Sequence, residues 1–197
     1  TGLLNNGIAS VPTVWKNGVP TALTSISTGN DARSIFVSGN DVYAAGYDQN
    51  GAVSMATVWK NGVRTSLTNS YGLGGNARSV FVSGTDVYVV GESATPLNSS
   101  QATIWKNGVA SFLTTGSLNG EATSVYVSGS DVYAGGSEGF TARIWKNGIP
   151  FSDLGSNGIK CIAVSGSDIY ASGIDQYGAV VWKNGVPSSL TDRLHLS

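Results

Sequence analysis

Residues 37–68, VSGNDVYAAGYDQNGAVSMATVWKNGVRTSLT, hold two phrases that return along the whole chain. The tetrapeptide Trp-Lys-Asn-Gly begins at Trp15, Trp59, Trp105, Trp145 and Trp182, with spacings of 44, 46, 40 and 37 residues. The phrase Val-Ser-Gly-x-Asp-(Val/Ile)-Tyr runs from Val37 to Tyr43, Val82 to Tyr88, Val127 to Tyr133 and Val164 to Tyr170, and the two phrases alternate strictly. A self-similar period of this length marks an array of supersecondary units, and each unit here is punctuated for strands.

Within one unit the alternation of apolar and polar residues predicts four strands: a over Ala32 to Ser38, b over Asp41 to Gly46, c over Ala56 to Lys60 and d over Val63 to Leu67. Asn61-Gly62 reads as a two-residue hairpin turn between c and d, since both residue types accept positive φ. Gly39-Asn40-Asp41 reads as the a–b turn, with the aspartate bonding its own backbone. Four antiparallel strands in a period of roughly 40 to 50 residues predict propeller blades. The expected fold is therefore all-β, a five-bladed β-propeller in one domain spanning 1–197. A half blade is expected at 1–25, with full blades at about 31–68, 76–114, 121–154 and 158–191.

The half blade is the anomaly. Thr1 to Gly18 aligns without a gap on Ala45 to Gly62, so it supplies the end of b, then c and d, and lacks strand a. The C-terminal Asp192 to Ser197 alternates like a short strand, and the expectation is that Arg193 to Leu196 pairs beside Gly2 to Leu4 to close the ring. Otherwise the expectation is that a neighbouring chain fills the edge, as unpaired strands invite, or that the chain is a fragment of a longer propeller.

Composition narrows the function. With 12% charged residues and a net charge of −1 there is no basic field for nucleic acid. No apolar run is long enough for a membrane-spanning helix, and the first six residues show no signal-peptide pattern. Cys161 is the single cysteine, which excludes an internal disulfide and a cysteine-based metal site.

The stretch SVFVSGTDVYVVGE followed by ATIWKNGV resembles the repeats of uncharacterised bacterial secreted or surface β-propeller proteins, and the likeness covers nearly the whole chain. It implies the fold and an extracellular or cell-surface location, and it carries over no functional residues. The blade count also resembles tachylectin-type lectins, which hold one sugar site per blade, although their residue pattern is absent.

Trp15, Trp59, Trp105, Trp145 and Trp182 share one place on strand c, where core packing between blades is the expected role and sugar stacking the functional alternative. Lys16, Lys60, Lys106, Lys146 and Lys183 are expected as solvated strand-end charges. Asp41, Asp86, Asp131 and Asp168 are expected to cap turns, since no second carboxylate lies close enough for calcium. Arg33, Arg78 and Lys160 occupy one strand-a position, with Thr123 in the third unit; the functional alternative for them, if strand a lines a central channel, is a positive mouth suited to an anion. His195 is the sole histidine, which speaks against triad or histidine-metal chemistry. The expectation is no enzyme, no cofactor and no metal. The chain reads as a binding module for a glycan or protein; the alternative is an assembly protein whose incomplete blade is completed by a neighbouring subunit.

Overall fold

The computed structural model describes residues 1–5, 10–24, 29–50, 53–97 and 99–191. Every described element is a strand, and the strands form five antiparallel sheets in chain order. Sheet I holds β1 (Gly2–Asn5), β2 (Ser10–Lys16) and β3 (Val19–Ala22). Sheet II holds β4 (Asp31–Ser38), β5 (Asp41–Asn50), β6 (Val53–Lys60) and β7 (Val63–Ser66). Sheet III holds β8 (Gly75–Ser83), β9 (Asp86–Ala94), β10 (Ser100–Lys106) and β11 (Val109–Phe112). Sheet IV holds β12 (Gly120–Ser128), β13 (Asp131–Glu138), β14 (Thr141–Lys146) and β15 (Ile149–Ser156). Sheet V holds β16 (Ile159–Ser165), β17 (Asp168–Asp175), β18 (Gly178–Lys183) and β19 (Val186–Ser189).

The expected all-β chain of repeated four-stranded antiparallel sheets is observed, with three strands in sheet I. Its register, Gly2 opposite Thr13, repeats Gly46 opposite Thr57 in sheet II. The pairing expected for Arg193 to Leu196 falls on residues 192–197, outside the described residues. One boundary differs from expectation. β5 and β6 run on past Gly46 and Ala56 to Asn50 and Val53, because antiparallel pairing propagates through Asp48 opposite Met55 and Gln49 opposite Ser54.

The Asn-Gly turns are as read. Asn17, Asn61, Asn107, Asn147 and Asn184 have φ of 49–52°, and the glycines after them 81–84°, so both turn residues are left-handed and match the strand twist.

The first strand of each of sheets II to V (β4, β8, β12 and β16), called its inner strand because it faces the first strand of the neighbouring sheet, carries a bulge that the sequence does not advertise. Ala32 pairs with Gly46 and Ser34 with Ala45, leaving Arg33 as the extra residue. The same slip sets out Arg78, Thr123 and Lys160. A bulge presses the inner strand onto its neighbour, which explains the glycine three residues after each repeat tyrosine. A Cβ added at Gly46, Gly91 or Gly136 would lie 1.9–2.0 Å from the carbonyl oxygen of Asp31, Asn76 or Glu121.

Adjacent sheets are joined by one recurring contact. In each of sheets II to V the strand-c tryptophan points back into a pocket of the preceding sheet: Trp59 against Leu23 and Val14, and Trp105 against Leu67, Ala56 and Tyr43. Trp145 meets Leu113, Ala102 and Tyr88, and Trp182 meets Leu154, Ala142 and Tyr133. The residue paired with each indole across the sheet is small or branched (Ala44, Val89, Ala134, Ala171), which leaves room for the ring. These four tryptophans are 0–2% exposed, whereas Trp15 is 38% exposed.

The inner strands are also tied to one another. The Ser34 hydroxyl oxygen accepts from the Val80 amide at 3.2 Å, Ser79 from Val125 at 3.3 Å and Ser124 from Ile162 at 3.1 Å. Phe36, Phe81 and Tyr126 continue the series as ring contacts at 4.6 and 5.1 Å between centroids.

The two glycine roles separate by mutation. Gly108→Ala, at φ 84° with nothing within 4 Å of the new Cβ, is expected to lose about 1–2 kcal/mol from backbone strain alone. Gly91→Ala collides with backbone 1.9 Å away and is expected to lose more. Denaturant unfolding of the two variants measures the order, and equal losses would refute the bulge account.

Candidate functional site

Antiparallel hairpins place the a–b and c–d turns of every sheet at one end, and the b–c connections with the starts of strand a at the other. Both ends carry polar side chains.

At the turn end the two repeated phrases meet. In sheet II, Lys60 Nζ lies 2.7 Å from Asp41 Oδ2, and Asn61 Nδ2 donates to Asp41 Oδ1 at 2.8 Å. The Asn61 side-chain oxygen accepts from the Val42 amide at 2.8 Å, and Lys60 sits 5.4 Å from the Tyr43 ring centroid. Sheets III, IV and V repeat the set with Asp86, Lys106 and Asn107, with Asp131, Lys146 and Asn147, and with Asp168, Lys183 and Asn184.

The lysines remain solvent-facing strand-end charges, and four of them, Lys60, Lys106, Lys146 and Lys183, also pair with aspartates because the c–d hairpin overhangs the a–b turn. The aspartates reach across to that hairpin, and both carboxylate oxygens are spoken for. The hydrogen bond from the lysine, then that from the asparagine, holds each of the four carboxyls below the ordinary value of 3.8. The aspartate hydrogen bond, then the tyrosine, raises each of the four lysines above 10.5.

The bulge residues sit on the inner strands, and the positive mouth expected of Arg33, Arg78 and Lys160 is largely neutralised. Arg33 pairs with Asp31 at 2.9 Å and lies 5.0 Å from the Tyr47 ring centroid. Arg78 bridges Glu92 and Glu121, each at 2.7 Å, while Asn76 Nδ2 donates to Glu92 at 2.8 Å. Burial opposes the Arg78 charge, and the Glu92 hydrogen bond with the charges of Glu92 and Glu121 outweighs it, raising its pKa. Thr123 uses its hydroxyl on the Ile159 carbonyl at 2.6 Å, and Lys160 is exposed. Glu92, Glu121 and Asn76 were not singled out from the sequence. The signal was the register: Ala77 opposite Gly91 puts Asn76 opposite Glu92, one step from the bulged arginine.

Around this cluster, at the loop end of sheets II to IV, lies an open groove of about 790 Å³. Its charged lining is Arg78, Glu92 and Glu121; Ser54, Ser100, Asn119 and Ser137 add hydroxyls and an amide, and glycines expose backbone. The five tryptophans are not part of it. Trp59, Trp105, Trp145 and Trp182 have both ring faces taken up by packing, and Trp15 alone offers a surface. Among the described residues no group of three or more His, Cys, Asp or Glu is placed to hold a metal ion, and no helix is long and apolar enough to cross a membrane. His195 lies outside the described residues.

The pKa directions fix a pH dependence. A carboxyl held low in the folded chain stabilises folding fully above 3.8, and that contribution disappears as pH falls through the lowered value. A lysine held high contributes fully below 10.5 and loses its contribution as pH rises through the raised value. The variant D41N/D86N/D131N/D168N is therefore expected to unfold earlier than the parent at pH 7, with the gap closing as the pH falls through the lowered carboxyl values. A gap that persists unchanged into acid would show that the paired charges are not its cause.

No protein-family model matches the sequence, and no curated protein matches it. Among solved structures, the crystal structure of the computationally designed Ika4 protein is similar at 16% identity and a TM-score of 0.42, over 77% of this chain and 89% of that one.

Proposed function

We propose that this chain is a non-catalytic binding module built of β-propeller blades whose ring stays open between sheet V and sheet I, and that it takes a neutral glycan in the groove over Arg78. Five successive sheets, of which II to V are joined inner strand to inner strand, support the propeller reading. The observation that carries the ligand reading is the groove lining, where hydroxyls, amides and open backbone surround one arginine already held by two carboxylates. A compensated cluster of this kind has no charge to spare for an anion, but its carboxylate oxygens accept from sugar hydroxyls at little further desolvation. Both carboxylates are engaged with the same arginine, which leaves neither as the free acid or base that glycoside cleavage requires. The resemblance of the repeat units supports work at the cell surface or outside the cell. A protein ligand is the competing occupant, and its polar peptide groups would use the same lining.

Titration calorimetry with neutral oligosaccharides tests the site. Saturable binding is expected, weakened about tenfold by Glu121→Gln, which removes one charged acceptor. Ser137→Leu, which fills the groove, is expected to abolish it while leaving the unfolding midpoint in place. Binding indifferent to both substitutions, or none at all, contradicts the glycan reading. Peptide binding sensitive to both would replace the ligand and keep the site.

A further inference from the structure

Among the described residues the contact between sheets is present four times, and each of its two halves is present a fifth time without the other half against it. The tryptophan half is Trp15. It stands at the place of Trp59, Trp105, Trp145 and Trp182, lies over Gly2 of its own sheet, and is 38% exposed where the others are 0–2%. Thr13 on the same face is covered, so the opening is confined to the end of the sheet that bears the indole.

The pocket half is the far face of sheet V. Leu23, Leu67, Leu113 and Leu154 each receive a tryptophan and are 3–8% exposed; Leu190, which takes the same hydrogen bond to strand c as Leu67 does, is 65% exposed. Its neighbours Tyr170 and Ala179 correspond to the buried Tyr43 and Ala56, and neither is itself buried, while Ile174 on the same face is exposed. The inner-strand tie is vacant at the same place. Ser34, Ser79 and Ser124 each accept an amide from the next inner strand, and at the following position stands Cys161, exposed.

An indole half in water and an apolar pocket with a leucine in water are complementary by construction, because the chain packs this pair against itself four times. We propose that the Trp15 face of sheet I docks in the Leu190 pocket of sheet V of a second copy of this chain, the indole packing on the leucine as the other four tryptophans do within the chain. The occupant is a second copy because both halves stay exposed among the described residues of one chain, Trp15 at 38% and Leu190 at 65%, which makes the interface heterologous and head-to-tail. The inference rests on the repeat geometry and is independent of the ligand in the groove.

Sedimentation velocity of the whole chain over a wide concentration range reads it directly. Association that grows with concentration is expected, and Trp15→Ser or Leu190→Glu is each expected to weaken it about 30-fold or more, as loss of a central anchor does. Both side chains are exposed, so both variants are expected to fold. A 1:1 mixture of the two variants is the sharper arm: each alone stays monomeric, and together they form a dimer and nothing larger, since one good pocket meets one good tryptophan. Should a variant fail to fold, acrylamide quenching of the wild-type tryptophans serves instead, with protection expected to rise with concentration. A wild-type chain that stays monomeric throughout overturns the proposal. So does association that neither substitution weakens.

Discussion

Everything in this molecule hangs on one indole per sheet filling one pocket in the sheet before it. A four-stranded sheet of short strands has too little apolar area to be stable alone, so each unit depends on its neighbour for a core. The chain meets that need with the largest side chain available, placed on strand c opposite a small or branched residue and received by a leucine, joined in sheets II to IV by an alanine and a tyrosine. Since a buried tryptophan removes roughly 150–250 Å² from water, four such contacts account for much of the core. The tyrosine of the pocket also carries the repeat lysine above its ring, so the inter-sheet core and the turn-end charge cluster share a residue.

That shared tyrosine explains why two phrases so far apart in sequence travel together. Asn-Gly closes the c–d hairpin, the lysine before it reaches the aspartate of the a–b turn, and the asparagine side chain pins both the aspartate and the amide that follows it. The lysine, asparagine and aspartate form a brace between two hairpins. Their repetition therefore reflects how each sheet is held square, and the residues that vary from sheet to sheet, Arg33, Arg78, Thr123 and Lys160 among them, are where a specific surface is made.

The sequence made legible whatever depends on neighbours along the chain. Asn61-Gly62 declares its turn because few other pairs tolerate positive φ twice, and the alternation in SVFVSGTDVYVV declares its strands. What stayed hidden depends on register. A bulge moves one residue, and nothing in Ala32-Arg33-Ser34 distinguishes a bulged from a regular strand except the glycine facing it across the ladder. The Arg78–Glu92–Glu121 cluster follows from that bulge together with sheet-to-sheet packing, so it escaped with it. Trp15 looked like its four counterparts because a residue's own sequence does not say whether a neighbour lies above it. The lysines and aspartates were legible as residues at turns, but their pairing needed the overhang of one hairpin over another.

The account's central claim is that the tryptophan contact is one interaction used four times and left open once. Equilibrium unfolding of the five single Trp→Ala variants, at concentrations where the chain is monomeric, measures it most directly. The account predicts losses of about 3–5 kcal/mol each for Trp59, Trp105, Trp145 and Trp182, as for other buried large-to-small changes. It predicts less than about 1 kcal/mol for Trp15, as for an exposed residue. A loss at Trp15 as large as the other four would contradict it, because the first sheet would then already have a neighbour within the monomer.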